Sequence, residues 1–195
     1  MSGDHPLKVM DGTKRWKSEI GEDIAAMKKE TYPAASRVTW EFGARGDMPP
    51  VKLTWWDGGI FPPPHKDMPK GFSGNGAFII GDKGAIKHGS HGANGARIIP
   101  EEKMQAYIKS GVAKKTIKRV GGHHQDWIDA CKGGDPASSN FDYGGPLTEM
   151  VLLGVIAMRN SGAKLVWDDA KMEFEKNKTT ANELVKPEYH NGWTL

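Results

Sequence analysis

The sequence predicts an α+β fold, an open and mainly antiparallel β-sheet with helices packed on one face. In "SRVTWEF" the alternation places Val38, Trp40 and Phe42 on one side of a strand and polar residues on the other. The C-terminal third changes to helical spacing, with an apolar stripe from His124 to Cys131. Because parallel strands are normally buried on both faces, such half-polar strands favour an antiparallel sheet covered on one side.

The strands are predicted as two hairpins. The run "VKLTWW" continues the alternation after the long loop "GARGDMPP", with a core set opposite a polar set: Val51, Leu53 and Trp55 against Lys52, Thr54 and Trp56. The run "AFIIGDKGAIKHG" predicts the second hairpin, with Asp82, Lys83 and Gly84 as turn residues. The proline-rich stretch between the hairpins is expected to be an extended surface loop.

Helices and short strands are predicted to complete the chain. One helix follows Gly122 and ends before Gly133, and Pro146 opens the run "PLTEMVLLGVIAMRNSG". This second helix is apolar nearly all round, so we expect it to be buried on more than one side. The runs "KLVWD" and "KMEFEK" predict two short strands, and "TTANELV" a short helix. The inward candidates of those strands are Leu165, Trp167, Met172 and Phe174.

The domain organisation follows from composition along the 195 residues. Residues 1–31 are predicted to be a partly helical lead-in, and residues 32–195 one domain. The lead-in lacks a hydrophobic signal core, which favours a cytoplasmic location and leaves a periplasmic one open if a signal lies further upstream. No apolar run is long enough to cross a bilayer, so we expect no membrane partner.

Several chemistries are disfavoured by what the sequence lacks. No G-x-G-x-x-G turn or G-x-S-x-G elbow is found. Cys131 is the single cysteine, so we expect no multi-thiolate metal site, and its place on the apolar stripe predicts a small buried residue. No nucleic-acid partner is expected, because the basic cluster has no interleaved aromatic residues: Lys109, Lys114, Lys115, Lys118 and Arg119.

Two pairs of residues stand out as candidates for ligand contact. His123 is predicted at the mouth of a helix, where it could accept a proton or help to hold an anion, while His124 continues the apolar stripe. Helix capping and packing are the alternatives for both. Trp55 and Trp56 are predicted on opposite faces of one strand, so at most one is in the core and the other is an exposed aromatic beside Asp57.

Four motifs together resemble a known family. "YPAASRVTWEFGARGDMPPVKLTWWDGG", "GDKGAI", "WIDACKGG" and "SNFDYGGPLTEMVLLG" are similar to the C-terminal domain of bacterial oxidoreductases of the glucose-fructose oxidoreductase, inositol dehydrogenase and MocA superfamily. The resemblance runs from about Tyr32 to the end. It implies a C-terminal domain of the dihydrodipicolinate-reductase-like type, which forms the substrate cavity and the oligomer interface beside an N-terminal Rossmann domain that binds NAD or NADP.

The family's catalytic residues do not transfer to this chain. Its E-K-P lysine motif is missing, and the only similar tripeptide is Val185-Lys186-Pro187 in a different context. No histidine has an aspartate four residues before it, so the D-x-x-x-H pattern cannot be placed. The resemblance therefore implies a chain without its dinucleotide-binding half, which is expected to be inactive and to hold no cofactor by itself.

The resemblance and the residues together predict a function. We expect the substrate-binding and oligomerisation domain of an NAD(P)-dependent oxidoreductase acting on a sugar, cyclitol or related polyol, with a homo-oligomer formed through the open sheet face. The predicted substrate contacts are Trp56, Asp57, His123, His124, Arg45 and Tyr143. Two alternatives stay open: a stand-alone binding or scaffold domain without catalysis, and a part of an NAD-dependent glycosidase of the same superfamily.

Overall fold

A computed structural model describes residues 7–15, 32–68, 70–72, 74–175, 179–186 and 189–193, and the side chains of 7–15, His91 and Thr179 are outside this description. In chain order the elements are β1 (Leu7–Arg15), β2 (Ala35–Phe42), β3 (Val51–Trp56), β4 (Ala77–Gly81), β5 (Gly84–His88), a 3-10 turn (His91–Ala93), β6 (Arg97–Ile99), α1 (Glu101–Ser110), α2 (His123–Cys131), α3 (Phe141–Arg159), β7 (Lys164–Asp168), β8 (Glu173–Phe174) and α4 (Thr179–Glu183). Every strand pair described is antiparallel. The predicted α+β class is confirmed.

The chain divides into two compact units. The first comprises Met1–Ile60 with Ser139–Leu195, and the second Phe61–Ser138. The first unit contains a five-stranded sheet in the order β3-β2-β1-β7-β8, and the second a three-stranded sheet in the order β4-β5-β6. The boundary at 31 does not coincide with this division, because β1 lies at the centre of the first sheet. The lead-in is also predicted to be partly helical, and its residues 1–6 and 16–31 lie outside those described.

The core of the first unit lies between its sheet and helix α3. Val38 and Trp40 of β2 are buried there, as predicted from the alternation. Burial of such apolar side chains contributes the main stabilisation, roughly 1.5–3 kcal/mol for each large residue. The other buried members of this core come from the helices and the two C-terminal strands: Leu153, Ile156, Ala157, Leu165, Trp167, Phe174 and Ala181.

Two indole N–H groups fix α3 on the sheet. Trp40 Nε1 donates to the carbonyl oxygen of Met150 at 3.0 Å, and Trp167 Nε1 donates to Glu149 Oε1 at 2.6 Å. A buried indole N–H without a partner costs free energy, so both bonds select one position of the helix along the sheet. Trp167 also packs edge-on against Phe174, with ring centres 4.9 Å apart.

Helix α3 begins earlier than predicted. It starts at Phe141 rather than at Pro146, because Asn140 accepts a capping bond from the Tyr143 backbone N–H at 3.3 Å. Pro146 therefore lies inside the helix. The expectation that this helix is buried on several sides is wrong. The sheet covers one side of α3, and its other sides carry exposed apolar side chains: Leu147, Val151 and Leu152.

The C-terminal runs form β7, β8 and α4 as predicted. Leu165, Trp167 and Phe174 are buried, whereas Met172 is exposed in the turn before β8, at φ 53°, and its predicted inward position is wrong. Asn182 holds α4 against β8 by accepting from the Phe174 backbone N–H at 2.7 Å and donating to its carbonyl at 3.0 Å. At this edge of the sheet, the Asn182 side chain thus makes the two hydrogen bonds with the β8 backbone that a further strand would otherwise make.

The edge strand β3 departs from the predicted burial. Its residues Leu53 and Trp55 pair with Trp40 and Val38, so they share the face that α3 covers further along the sheet. They are nevertheless exposed, as is Val51. Helix α3 packs on β1 and β2, and β3 lies beyond its reach as an outer strand.

In the second unit, helix α1 packs beside β6 and was not predicted. Its signals are present in the sequence: Glu101 and Glu102 occupy the first turn, and Gly111 ends the helix in the left-handed conformation at φ 64°. The predicted hairpin of β4 and β5 is confirmed, with Gly81 paired to Gly84. None of the described helices is long and apolar enough to cross a membrane.

Candidate functional site

The predicted substrate contacts fall in different units. Arg45, Trp56, Asp57 and Tyr143 belong to the first unit, and His123 and His124 to the second. Trp56 and Asp57 are adjacent at the C-terminal end of β3, where that strand leaves the sheet. The candidate site of the first unit is therefore centred on this strand end, and the histidine pair belongs to the second unit.

The carboxylate of Asp57 is held by the start of β2. Its Oδ1 accepts from the Ser36 backbone N–H at 2.7 Å and from Ser36 Oγ at 2.9 Å. In the opposite direction, the Asp57 backbone N–H donates to the Ser36 carbonyl at 3.1 Å. Hydrogen bonds to a carboxylate are stronger than those between neutral groups. This reciprocal set of bonds, which we call the clasp of Asp57 and Ser36, therefore fixes the end of the edge strand β3 to β2. Asp57 has a structural role, and its predicted substrate contact stays a prediction.

Gly58 allows the clasp to close. Its φ is +67°, and a side chain there would overlap the backbone of Ala34 and Ala35, the residues just before Ser36. Only glycine adopts this conformation without cost and also leaves room for the neighbouring backbone. The runs "YPAASR" and "WWDGG", which both belong to the first motif of the resemblance, are therefore in contact at this turn.

The tandem tryptophans point to opposite faces, as predicted, but the more exposed one is Trp55. Trp55 is 59% exposed, whereas Trp56 is half-buried. The Arg37 guanidinium lies 5.4 Å from the centre of the Trp56 ring, so a cation–π contact occupies one side of that indole. Trp55 Nε1 instead donates to Asp57 Oδ2 at 3.2 Å.

The face that carries Trp56 is a ladder of cross-strand polar pairs, which we call the polar face: Arg37, Thr39, Glu41, Lys52, Thr54 and Trp56. The hydroxyls of Thr39 and Thr54 are 3.2 Å apart at its centre. Glu41 lies 3.9 Å from both Lys52 and Lys164. Weak polar contacts thus connect β2 and β3 on this side. Thr39 is buried, which the alternation did not predict.

Arg45 and Tyr143 occupy separate positions in the first unit. Arg45 lies in the loop between β2 and β3, where its backbone N–H and carbonyl pair with Met48 at 3.0 and 2.8 Å. Tyr143 is in the first turn of α3 with an exposed side chain, and its backbone N–H belongs to the helix cap. Both predicted contacts stay predictions.

Helix α2 begins at His123, as expected, with Gly122 in the cap position. The rings of His123 and His124 are both exposed, with centres 4.1 Å apart. The predicted packing of the stripe is wrong, since α2 has no buried residue. Trp127 is 63% exposed and Cys131 is exposed as well, because no described element covers this side.

Two carboxylates anchor the segment around α2. Asp126 accepts from the Ser138 backbone N–H at 2.8 Å and from its hydroxyl at 2.7 Å, and these bonds hold the pKa of the Asp126 carboxyl below its usual value. Lys118 donates to Asp135 at 2.6 Å, which lowers the pKa of Asp135 and raises the pKa of Lys118. Both exposed pairs brace loops, so neither indicates an acid or base poised for catalysis.

Among the residues that the structure describes, no group of three or more His, Cys, Asp or Glu side chains is close enough to hold a metal ion. The three-stranded sheet and α1 also provide no strand–glycine turn–helix unit of the kind that cradles a dinucleotide's phosphates, because β6 and α1 are joined directly at Pro100.

Comparison with known proteins gives no relative: no family model matches the sequence, no curated protein matches it, and no solved structure matches it. The functional proposal therefore depends on the chain's own residues and on the resemblance of its motifs.

Proposed function

We propose that this chain is the substrate-side and oligomerisation domain of an NAD(P)-dependent oxidoreductase that acts on a sugar, cyclitol or related polyol. In the complete enzyme a separate domain would bind NAD or NADP, and this chain would supply one wall of the substrate cavity. Hydride transfer needs both reactants held within a few ångströms, so the division places the chemistry where the two domains meet.

One observation carries the proposal. Two of the four motifs that give the resemblance are in contact within the first unit: Asp57 binds Ser36, Gly58 lies against Ala34 and Ala35, and Gly154 lies against Trp40. A resemblance in composition alone would not place these residues in mutual contact across β2, β3 and α3. Their contacts support a likeness of fold, and the one-sided antiparallel sheet is the fold that the resemblance implies.

The natural protein that contains this chain tests the proposal. A tag added to the natural gene would allow the full protein to be purified from its native cells. Its reduction of NAD or NADP would then be measured with a panel of sugars, cyclitols and open-chain polyols. We expect polyol-dependent reduction by the natural protein, and neither reduction nor binding of NAD(H), by calorimetry, for the isolated 195 residues.

Other results would support the alternatives. Release of a sugar from a glycoside without net reduction of the nicotinamide would favour the glycosidase. Polyol binding without turnover in the natural protein would favour the scaffold domain. Tight NAD(H) binding by the isolated chain would contradict the proposed division between the domains.

The polar face is the proposed oligomer interface. It belongs to an open sheet and bears half-buried Trp56 and Arg37, residue types that are enriched at the centre of protein interfaces. In a two-fold dimer this face would meet its own copy, and half-buried Thr54 would lie near the symmetry axis. The ladder of small and long polar side chains suits a hydrated, hydrogen-bonded contact.

Replacing Thr54 by glutamate is expected to weaken this dimer at least about tenfold, because two like charges would approach each other across the axis. Sedimentation velocity over a range of concentrations gives the dissociation constant. Leu53→Glu is the matched control, since Leu53 is the adjacent residue of β3 and points to the opposite face. A monomeric wild type, or equal weakening by both substitutions, would contradict the proposed interface.

A further inference from the structure

Trp55 has a fixed orientation and an exposed ring. Its Nε1 donates to Asp57 Oδ2 at 3.2 Å, and Ser36 Oγ lies 3.0 Å from the same oxygen. The carboxylate is itself held by the Ser36 backbone N–H, so the edge of the indole is tied to the sheet through two residues. The ring nevertheless remains 59% exposed. An indole held in this way loses little conformational entropy when a ligand stacks on it.

The surroundings of Trp55 combine apolar and acceptor groups. Leu53 precedes it on the same face of β3 and is partly exposed, which extends the apolar surface beside the ring. The Asp57 carboxylate offers about four acceptor positions, and its donors are the Ser36 N–H, the Ser36 hydroxyl and the Trp55 N–H. One acceptor position therefore remains for a hydroxyl donor next to the ring.

We propose that Trp55, rather than Trp56, is the stacking platform for the C–H face of a sugar or cyclitol ring, and that Asp57 accepts a hydrogen bond from a hydroxyl of that ring. The electron-rich face of an indole attracts the polarised C–H groups of such a ring. Trp56 is less suited, because Arg37 already occupies one side of its ring. This inference rests on the proposed function, for which it names the contact residue and the shape of the substrate.

Ring binding by the isolated chain tests the platform directly. The probes are myo-inositol and glucose, which present a face of axial C–H groups, and sorbitol, an open-chain polyol of similar polarity. Saturation-transfer NMR from the aromatic protons reports stacking, and a titration by the same method gives the dissociation constant. We expect weak binding of both rings, transfer to their C–H groups, and at least about tenfold weaker binding of sorbitol.

Substitutions then locate the binding. Trp55→Ala is expected to weaken ring binding about tenfold or more, and Trp55→Phe to restore most of it, because an aromatic face is retained. Trp55→Leu keeps apolar bulk without the aromatic face, so it separates stacking from folding if the alanine variant is unstable. Trp127→Ala is the matched control, since Trp127 is equally exposed but lies on α2 in the other unit, and binding should not change.

Three results would overturn the platform. They are an absence of ring binding up to the solubility limit of the probes, unchanged binding by folded Trp55→Ala, and equal binding by Trp55→Leu and the wild type. Failure of the proposed function is distinguishable from these. If the natural enzyme oxidises a polyol and its KM is unchanged after Trp55→Ala, the proposed role of Trp55 is contradicted and the proposed function stands. If the natural protein shows no polyol-dependent reduction of NAD or NADP, the proposed function itself is contradicted.

Discussion

Gly154→Ala is expected to lower the free energy of unfolding of the first unit by about 3 kcal/mol, the upper part of the range for an overpacked core. An added Cβ would overlap Cζ2 of Trp40 and lie 3.2 Å from Cη2 of the same ring. Trp40 cannot easily retreat, because its Nε1 is bonded to Met150, one turn before Gly154 on the same helix. Either the indole leaves the core or α3 moves outward and that bond lengthens.

Gly144→Ala provides the matched control in the same helix. A Cβ at Gly144 would lie in ordinary contact, 4.0 Å from the Ser139 carbonyl oxygen, so the substitution removes backbone entropy from the unfolded chain without a clash. We expect it to stabilise by roughly 0.5–1 kcal/mol. Urea denaturation followed by far-ultraviolet circular dichroism measures both variants. A loss below about 1 kcal/mol for Gly154→Ala would mean that the helix shifts freely over the sheet.

The alternation of β2 and β7 predicted most of their large buried apolar residues. Val38, Trp40 and Leu165 are buried because these strands lie inside the sheet, where a helix covers them. The same pattern failed for β3 and for α2, since alternation and helical spacing say which side chains share a face but not what lies against that face. Trp55 and Trp127 are exposed for that reason.

The faces on which the two tryptophans lie were predicted, and the contacts of Asp57 were not. The sequence drew attention to Asp57 and the two tryptophans, and alternation placed those tryptophans on opposite faces as found. The partner of Asp57 could not be predicted, because Ser36 is 21 residues away and the contact depends on the register of β2 with β3. Without that register the carboxylate looked free for a substrate.

Gly58→Ala is expected to destabilise the first unit by at least about 3 kcal/mol. The left-handed conformation at φ +67° costs an alanine about 1–2 kcal/mol, and its Cβ would also overlap the Ala34 oxygen and lie 2.6 Å from the Ala35 side chain. Backbone atoms cannot rotate away as a flexible side chain can. Gly58 must therefore move, and Asp57 would lose its bonds to Ser36.

Gly59→Ala separates backbone strain from the close approach. Gly59 is also left-handed, at φ +82°, but a Cβ there would meet nothing within 4 Å, so its cost should be about 1–2 kcal/mol. Urea denaturation compares the two, and an equal loss would show that the overlap with Ala34 is relieved at no cost. If the extra cost of Gly58→Ala acts through the clasp, it should shrink in an Asp57→Ala background, because coupled residues are not additive. A full, additive loss in that background would place the strain in the Ala34–Ala35 backbone itself, which would make Gly58 a determinant of strand packing independent of Asp57.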